Sequence, residues 1–380
     1  MKKFVLIAVL ALLMMGTLVA VAQEATAEPM TFTDEEIAAS PYLQSVLKRK
    51  DTTYDTSAFK KDGPYRIALA AQGTSNSWSA LFDEHARWYV ETLGKDVVSE
   101  LLYADAEASA DKQVPQVEDL LTQDPDALIL VPMGAAALSA PVERAMAQGV
   151  PVILCASSVD TDDYVTEVGT NLYANGAYLA QWLVDSIGGK GNIVVMTGIP
   201  GVSTSDIMEA GAKAVFAKHP DVKVLDLQPG NWSTADAKKI METWLSKYGD
   251  TINGIWSGGA QMSQGIVSAY LDAKQTIPPI GGGEFGNGFL RLAIDNNLKF
   301  AATNYPNAMV TLCIDTAIKV LKGESVPRFI DFHDFIPNSQ NFDDSKAKDY
   351  FNPDWSDDVF GPILFPAERL DKLGFLVKKS

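Results

Sequence analysis

From position 65 onward, short apolar runs alternate with longer amphipathic stretches. Apolar runs at 66–71, 97–103, 127–131 and 150–155 read as strands, and stretches at 78–93, 111–121 and 139–148 carry the helical period. Short buried strands alternating with helices are the mark of βαβ units, so a parallel sheet covered on both faces is expected. The rhythm then restarts. Strand-like runs at 192–197, 222–227, 254–256 and 277–281 alternate with helical stretches at 205–218, 235–247 and 261–273. Two doubly wound α/β lobes of similar size follow from this repetition, with a break at 167–173 as the boundary and a helix at 172–187 opening the second half. A strand at 300–303, a helix at 307–321 and a strand at 329–336 would bring the chain back to the first lobe.

The two ends differ in character from this body. Lys2 and Lys3 precede an apolar run that reaches Met15, and Ala20-Val21-Ala22 supplies the small-residue pattern that a signal peptidase reads, so residues 1–22 are expected to be a cleaved secretory signal. A membrane anchor is the rival reading of the same run. No cysteine lies near the cut, and a freely soluble periplasmic protein is expected. Residues 23–63 are polar and read as an N-terminal extension with one helix at 34–48, capped by Thr33 with Glu36 three residues on. The expected organisation is the signal, the extension, a first lobe from 64–169 and 305–336, a second lobe from 170–304, and a tail at 337–380 returning over the lobes.

Composition narrows the function. The 380 residues include 31 Lys and Arg against 48 Asp and Glu, a net charge of −17; without the signal the count is 29 against 48, or −19. That balance excludes a protein that holds polyphosphate on a basic surface, so no nucleic-acid partner is expected. Cys155 and Cys313 are the two cysteines, too few for a disulfide scaffold, and both are expected to be buried thiols. The three histidines, His85, His219 and His333, have no partner at metal-ligand spacing, so neither a metal nor another cofactor is expected. Gly201-Val202-Ser203-Thr204-Ser205 lacks the last glycine of a nucleophile elbow, and Gly258-Gly259 and Gly281-Gly282-Gly283 lack the Lys-Ser/Thr of a phosphate loop. No base and nucleophile pair is visible, and the chain is not expected to be an enzyme.

In an open α/β sheet, ligands lie at the C-terminal ends of the strands. Those ends carry Asn76 and Trp78, then 155–158, 203–206, Asn231 and Trp232, 256–259, Glu284 and Phe285, and Asn304 and Tyr305. Flat aromatic faces among Asn, Asp and Glu suit a polyhydroxylated ring, whose C–H surface stacks while its hydroxyls pair with amides and carboxyls.

The chain resembles, over residues 65–336, the type I periplasmic solute-binding proteins of sugar ABC transporters, the ribose/galactose-type branch shared with the ligand domains of LacI-like repressors. The resemblance rests on Ile67-Ala68-Leu69 leading to Ser75-Asn76-Ser77-Trp78, on Asp126-Ala127-Leu128-Ile129-Leu130-Val131-Pro132, on Gln148-Gly149-Val150-Pro151-Val152-Ile153, on Gly169-Thr170-Asn171 and on Val320-Leu321-Lys322-Gly323-Glu324. It implies two lobes joined by a three-strand hinge, with crossovers near 169–171, 304–306 and 335–338. It also implies a monomer that captures a small sugar or polyol-like ligand in the cleft and delivers it to an ABC permease, with a chemoreceptor as a further partner. By position, Asn76 and Trp78 match the amide and aromatic of the first loop, Trp232 the aromatic of the second lobe, Glu284 a hydroxyl-binding Asp, and Asn304 an amide at the second crossover.

Three departures stand out. Ala156-Ser157 replaces an Asp-Arg pair, Met208 replaces an arginine with Asp206 half a turn earlier, and Gly259-Ala260 replaces Asn-Asp. The ligand-binding set implied is therefore Asn76, Trp78, Ser157, Asp206, Trp232, Glu284 and Asn304. Without the charged grips, a plain ribose or glucose held in the usual way is not expected; a larger, more apolar, deoxy or alkylated polyol is. A nucleoside or an autoinducer is the rival ligand, and an exported enzyme on the same fold the rival class.

Overall fold

A computed structural model describes residues 30–74, 76–335, 342, 343, 346 and 348–377. The signal expected at 1–22 lies outside the described residues. The described residues form fourteen strands: β1 Thr53–Tyr54, β2 Tyr65–Ala71, β3 Val98–Asp105, β4 Ala127–Leu130, β5 Val152–Cys155, β6 Thr166–Gly169, β7 Gly191–Thr197, β8 Val222–Pro229, β9 Ile252–Ser257, β10 Ile280–Gly282, β11 Phe300–Ala302, β12 Val326–Pro327, β13 Phe329–Asp331 and β14 Phe342–Asp343. Two six-stranded sheets result, in the orders β13-β6-β5-β4-β2-β3 and β14-β11-β10-β9-β7-β8. Every pairing within them is parallel except β11 with β14. Within each lobe the first five strands follow the order 2-1-3-4-5, so both lobes are wound the same way and each has a switch point beside its first strand. Ile67, Leu69, Ile129 and Ile153 in one sheet and Ile193, Val195 and Ile255 in the other are fully or almost fully buried, as strands covered on both faces require.

The chain passes between the sheets after β6, after β11 and after β13. Positions 336–341, between β13 and β14 in sequence, lie outside the described residues. Helix Met309–Leu321 packs on β4, β5 and β6 of the first sheet, and helix Leu172–Ser186 packs on β9, β10 and β11 of the second.

Three local features differ from the expectation, each for a physical reason. The break expected at 167–173 overlaps most of β6, whose Glu167 is 1% exposed and paired with Arg49 of the N-terminal extension. A strand that buries a charge reads as a loop until the distant partner is known. The strand expected at 277–281 forms only at β10, because Pro278 and Pro279 cannot donate to a central ladder. The helix expected at 34–48 is two, Asp34–Ala39 and Pro41–Lys50, since Pro41 disfavours a helical Ser40 and suits a first helical position instead. The capping box of Thr33 and Glu36 is present.

Cys155 and Cys313 form a disulfide rather than two thiols, with Cα atoms 6.2 Å apart. Cys155 ends β5 and helix Met309–Leu321 lies against that strand, so two positions 158 residues apart in sequence meet. Both cysteines are fully buried, which is why burial alone did not separate thiol from bridge.

The described parts of the N-terminal extension and of the tail each contact both lobes. In the extension, Arg49 meets Glu167 and the Tyr164 hydroxyl, Lys50 meets Asp331 at 2.8 Å, Glu36 meets Lys218, and Phe32 packs edge-on to Tyr173. In the tail, Arg291 meets Asp357 at 2.7 Å, and Asn287 donates to the carbonyls of Asn352 and Trp355 on the second lobe. The same tail places Arg369 against Glu84 and Glu91, and donates the Leu364 N–H to Nε2 of His85, on the first lobe.

Candidate functional site

The C-terminal edges of the two sheets face each other and enclose a cavity of about 590 Å³ including its mouth. From the first lobe, the loop after β2 contributes Gln72 and Asn76, helix Ser77–Leu93 contributes Trp78, and the loop after β5 contributes Ala156 and Ser157. From the second lobe come Asn175, Thr204, Met208, Trp232, Gly258, Gln261 and Glu284, and the second crossover supplies Thr303 and Tyr305. Among the described residues lining this cavity there is no Lys, Arg or His, and Glu284 is the one carboxylate.

Asn76 caps its helix by accepting the Ser79 N–H at 3.0 Å, which fixes the turn that carries Trp78 into the cleft. Trp78 is 8% exposed and is held twice: its indole N–H donates to the Tyr305 carbonyl at 2.6 Å, and its ring stacks on Tyr305 and Phe82. On the opposite wall, Trp232 sits at φ 52°, a left-handed conformation that few large residues adopt, and its indole N–H donates to the Gly258 carbonyl at 3.1 Å. Two glycines make room for that ring. A Cβ on Gly198 would lie 2.3 Å from the indole, and one on Gly259 would lie 2.8 Å from it. The departure at Gly259 is thus explained: the indole occupies the space that a side chain there would need.

Across the rim the lobes touch. The Thr204 hydroxyl donates to the Ala156 carbonyl at 3.0 Å and stands 2.9 Å from Ser157 Oγ, while Ser203 Oγ accepts the Ser158 N–H at 2.7 Å. The Tyr305 hydroxyl donates to the same Ala156 carbonyl. Ala156 itself is held at φ 67°, which turns its carbonyl toward these donors at some cost in backbone energy. Ala106 and Met133 of the first lobe pack on Val202 of the second, so the lobes are closed on each other.

Glu284 follows β10 and accepts a hydrogen bond from the Ala260 N–H, at the start of helix Ala260–Ala273. Burial pushes its carboxyl up to about 8, only partly offset by that one donor.

The structure brings together Asn76, Trp78, Ser157, Trp232 and Glu284 of the residues expected from sequence, and leaves two aside. Asp206 accepts the Gly201 N–H at 3.1 Å and faces a separate groove beside Tyr42, Arg49 and Asp160. Asn304 is 1% exposed and does not line the cavity, although its neighbours Thr303 and Tyr305 do. Gln72, Asn175, Gln261 and Thr303 were missed. Gln72 and Thr303 follow the ends of β2 and β11, so the strand-end rule contained the signal; Asn175 and Gln261 sit inside the first turns of helices, one step past where that rule looks.

Comparison with known proteins bears on this arrangement. The family model of the periplasmic binding protein domain matches residues 67–325. The xylitol-binding protein of Mycolicibacterium smegmatis is 32% identical over 239 residues, covering 62% of this chain and 68% of the relative. The ribose import binding protein of Bacillus subtilis is 26% identical over 243 residues, covering 63% and 78%. Among solved structures, a galactofuranose binding protein superposes with a TM-score of 0.69 at 20% identity, over 76% of this chain and 97% of that one. A Mycobacterium smegmatis protein in complex with β-D-fucofuranose superposes at 0.67 with 24% identity, over 75% and 93%. These two share the fold. With twin sheets wound alike, three passages between them and a cavity at their facing edges, the chain belongs to the periplasmic binding protein domain family.

Proposed function

We propose that this protein is the extracytoplasmic solute-binding component of an ABC importer, and that it captures a neutral sugar or polyol in the interlobe cleft and delivers it to a permease. The carrying observation is the lining of the cavity. Trp78, Trp232 and Tyr305 offer aromatic faces, Asn76, Ser157, Thr204 and Glu284 offer hydrogen-bonding groups, and among the described lining residues there is no cation to hold a phosphate or carboxylate. The net charge of −17 disfavours anionic solutes in the same direction. Relatives named for binding xylitol, ribose and D-apiose support the substrate class, and their names as binding or import binding proteins support transport over catalysis. The Cys155–Cys313 disulfide fits an oxidising compartment, as the periplasm is.

Closure is the working step. Ligand contacts made by both lobes favour the closed state, and the permease reads that state. Ser157 with Thr204, and Ser158 with Ser203, form the rim that seals the cavity once the lobes meet. Mass spectrometry of the small molecule that copurifies with the protein tests the reading. A pentose, hexose or alditol is expected, and a nucleoside or an anionic metabolite would refute it.

A further inference from the structure

One wall of the cavity holds a polar group that no described residue satisfies. Gln261, the second residue of helix Ala260–Ala273, lines the cavity and is 9% exposed. Its Nε2 is buried with no hydrogen-bond partner among the described residues. Native folds leave few buried donors unpaired, and those they keep call for an explanation. Glu284 stands on the same wall, tied to the N–H of Ala260, the residue directly before Gln261. A donor amide and a carboxyl thus meet at the start of one helix. The neighbouring position cannot supply this grip, because a side chain on Gly259 would collide with the Trp232 indole.

We propose that Gln261 is a specificity-determining ligand contact: its Nε2 donates to one oxygen of the solute while the Glu284 carboxyl hydrogen-bonds a neighbouring hydroxyl, so this wall selects a vicinal diol. The inference rests on the sugar or polyol reading of the cleft and deepens it. A site built to hydrogen-bond a hydroxyl rejects the analogue that lacks it far more strongly than an apolar site discriminates by size, because its own buried groups are then left unpaired.

Calorimetric titration of the full chain with D-ribose, L-arabinose and xylitol, and with the monodeoxy analogues of whichever binds most tightly, tests it in wild type and in Gln261→Leu. The parent compound is expected to bind about ten- to a hundred-fold more weakly to Gln261→Leu. One monodeoxy analogue is expected to be rejected by wild type, with Gln261→Leu no longer distinguishing it from the parent. The melting temperature of Gln261→Leu is expected to equal or exceed that of wild type, since the substitution removes an unpaired buried donor; Gln261→Glu, which swaps donor for acceptor at the same size, is expected to bind as poorly. An unchanged parent affinity in Gln261→Leu, or an equal loss for every ligand together with a lower melting temperature, overturns the proposal and leaves the function standing. Failure of wild type to bind any of the three compounds, with a non-carbohydrate solute binding instead, overturns the functional reading and this inference with it.

Discussion

Trp78 donates its indole N–H to the carbonyl oxygen of Tyr305 at 2.6 Å while the two rings stack with centroids 6.0 Å apart. One bond thereby fixes the first helix of the first lobe to the second crossover, and it aligns two of the aromatic faces of the cleft. Trp78→Phe keeps a ring and removes the donor, leaving a buried carbonyl unpaired. Chemical denaturation is expected to show a loss of about 1–3 kcal/mol. A loss below a few tenths would mean that water replaces the indole at no cost.

The disulfide joins the end of β5 to a helix that the chain reaches only after building the whole second lobe. It holds the first lobe together directly beneath Ala156 and Ser157. Thermal unfolding of Cys155→Ala with Cys313→Ala is expected to show a loss of about 2–5 kcal/mol, and reductant is expected to destabilise wild type but not the double variant. Titration of the denatured, unreduced wild type with a thiol reagent is expected to find no reactive thiol.

Glu284 has a folded-state carboxyl raised from 4.5 to about 8 by burial. The sign follows from linkage: the folded state takes up the proton more readily, so the stability tied to this group is fully present below pH 4.5 and is lost as the pH rises through 8. Glu284→Gln cannot ionise. Melting curves are expected to show Glu284→Gln close to wild type at pH 5 and more stable than wild type at pH 9, by on the order of 3 kcal/mol. Parallel pH profiles for the two proteins would contradict the assignment.

His85 is fully buried in helix Ser77–Leu93, where Nδ1 donates to the Leu81 carbonyl at 2.8 Å and Nε2 accepts the Leu364 N–H of the tail at 3.1 Å. Burial lowers its pKa from 6.5 to about 4, so its contribution is present above pH 6.5 and is lost as the pH falls through 4. Protonation would turn the acceptor for Leu364 into a donor facing a donor. Wild type is expected to lose about 2–4 kcal/mol over that window beyond what His85→Gln loses, with limited proteolysis cutting first in the tail near Leu364. Identical acid profiles would show that the tail does not depend on the neutral imidazole.

Much of this site was legible because hydrophobic periodicity locates strand ends, and in a doubly wound sheet strand ends are where side chains converge. Trp78 and Trp232 were found that way. Asn304 shows the limit of the rule: adjacent residues at a strand end face opposite ways, so Thr303 and Tyr305 reach the cavity and the amide between them does not. Asp206 was placed on the right helix, yet its carboxylate closes the turn at Gly201 instead of facing the cleft. The pairings of Arg49 with Glu167 and of Cys155 with Cys313 span 118 and 158 residues, and no local pattern carries information over such a distance. Gln261 was hidden for another reason. Its significance lies in an unpaired nitrogen, which only the packed surroundings reveal.

The central claim is that the cleft between Trp78 and Trp232 takes a neutral polyhydroxylated solute. Titrating the protein with a panel of pentoses, hexoses and alditols while following tryptophan emission tests it most directly, since both indoles line the cavity. At least one member is expected to give a saturable, one-to-one change with a Kd of about 1 μM or tighter, an affinity near −8 kcal/mol that a handful of buried hydrogen bonds and stacked rings can supply. No response to any carbohydrate, with saturation by a nucleoside or an anionic solute instead, would contradict the account.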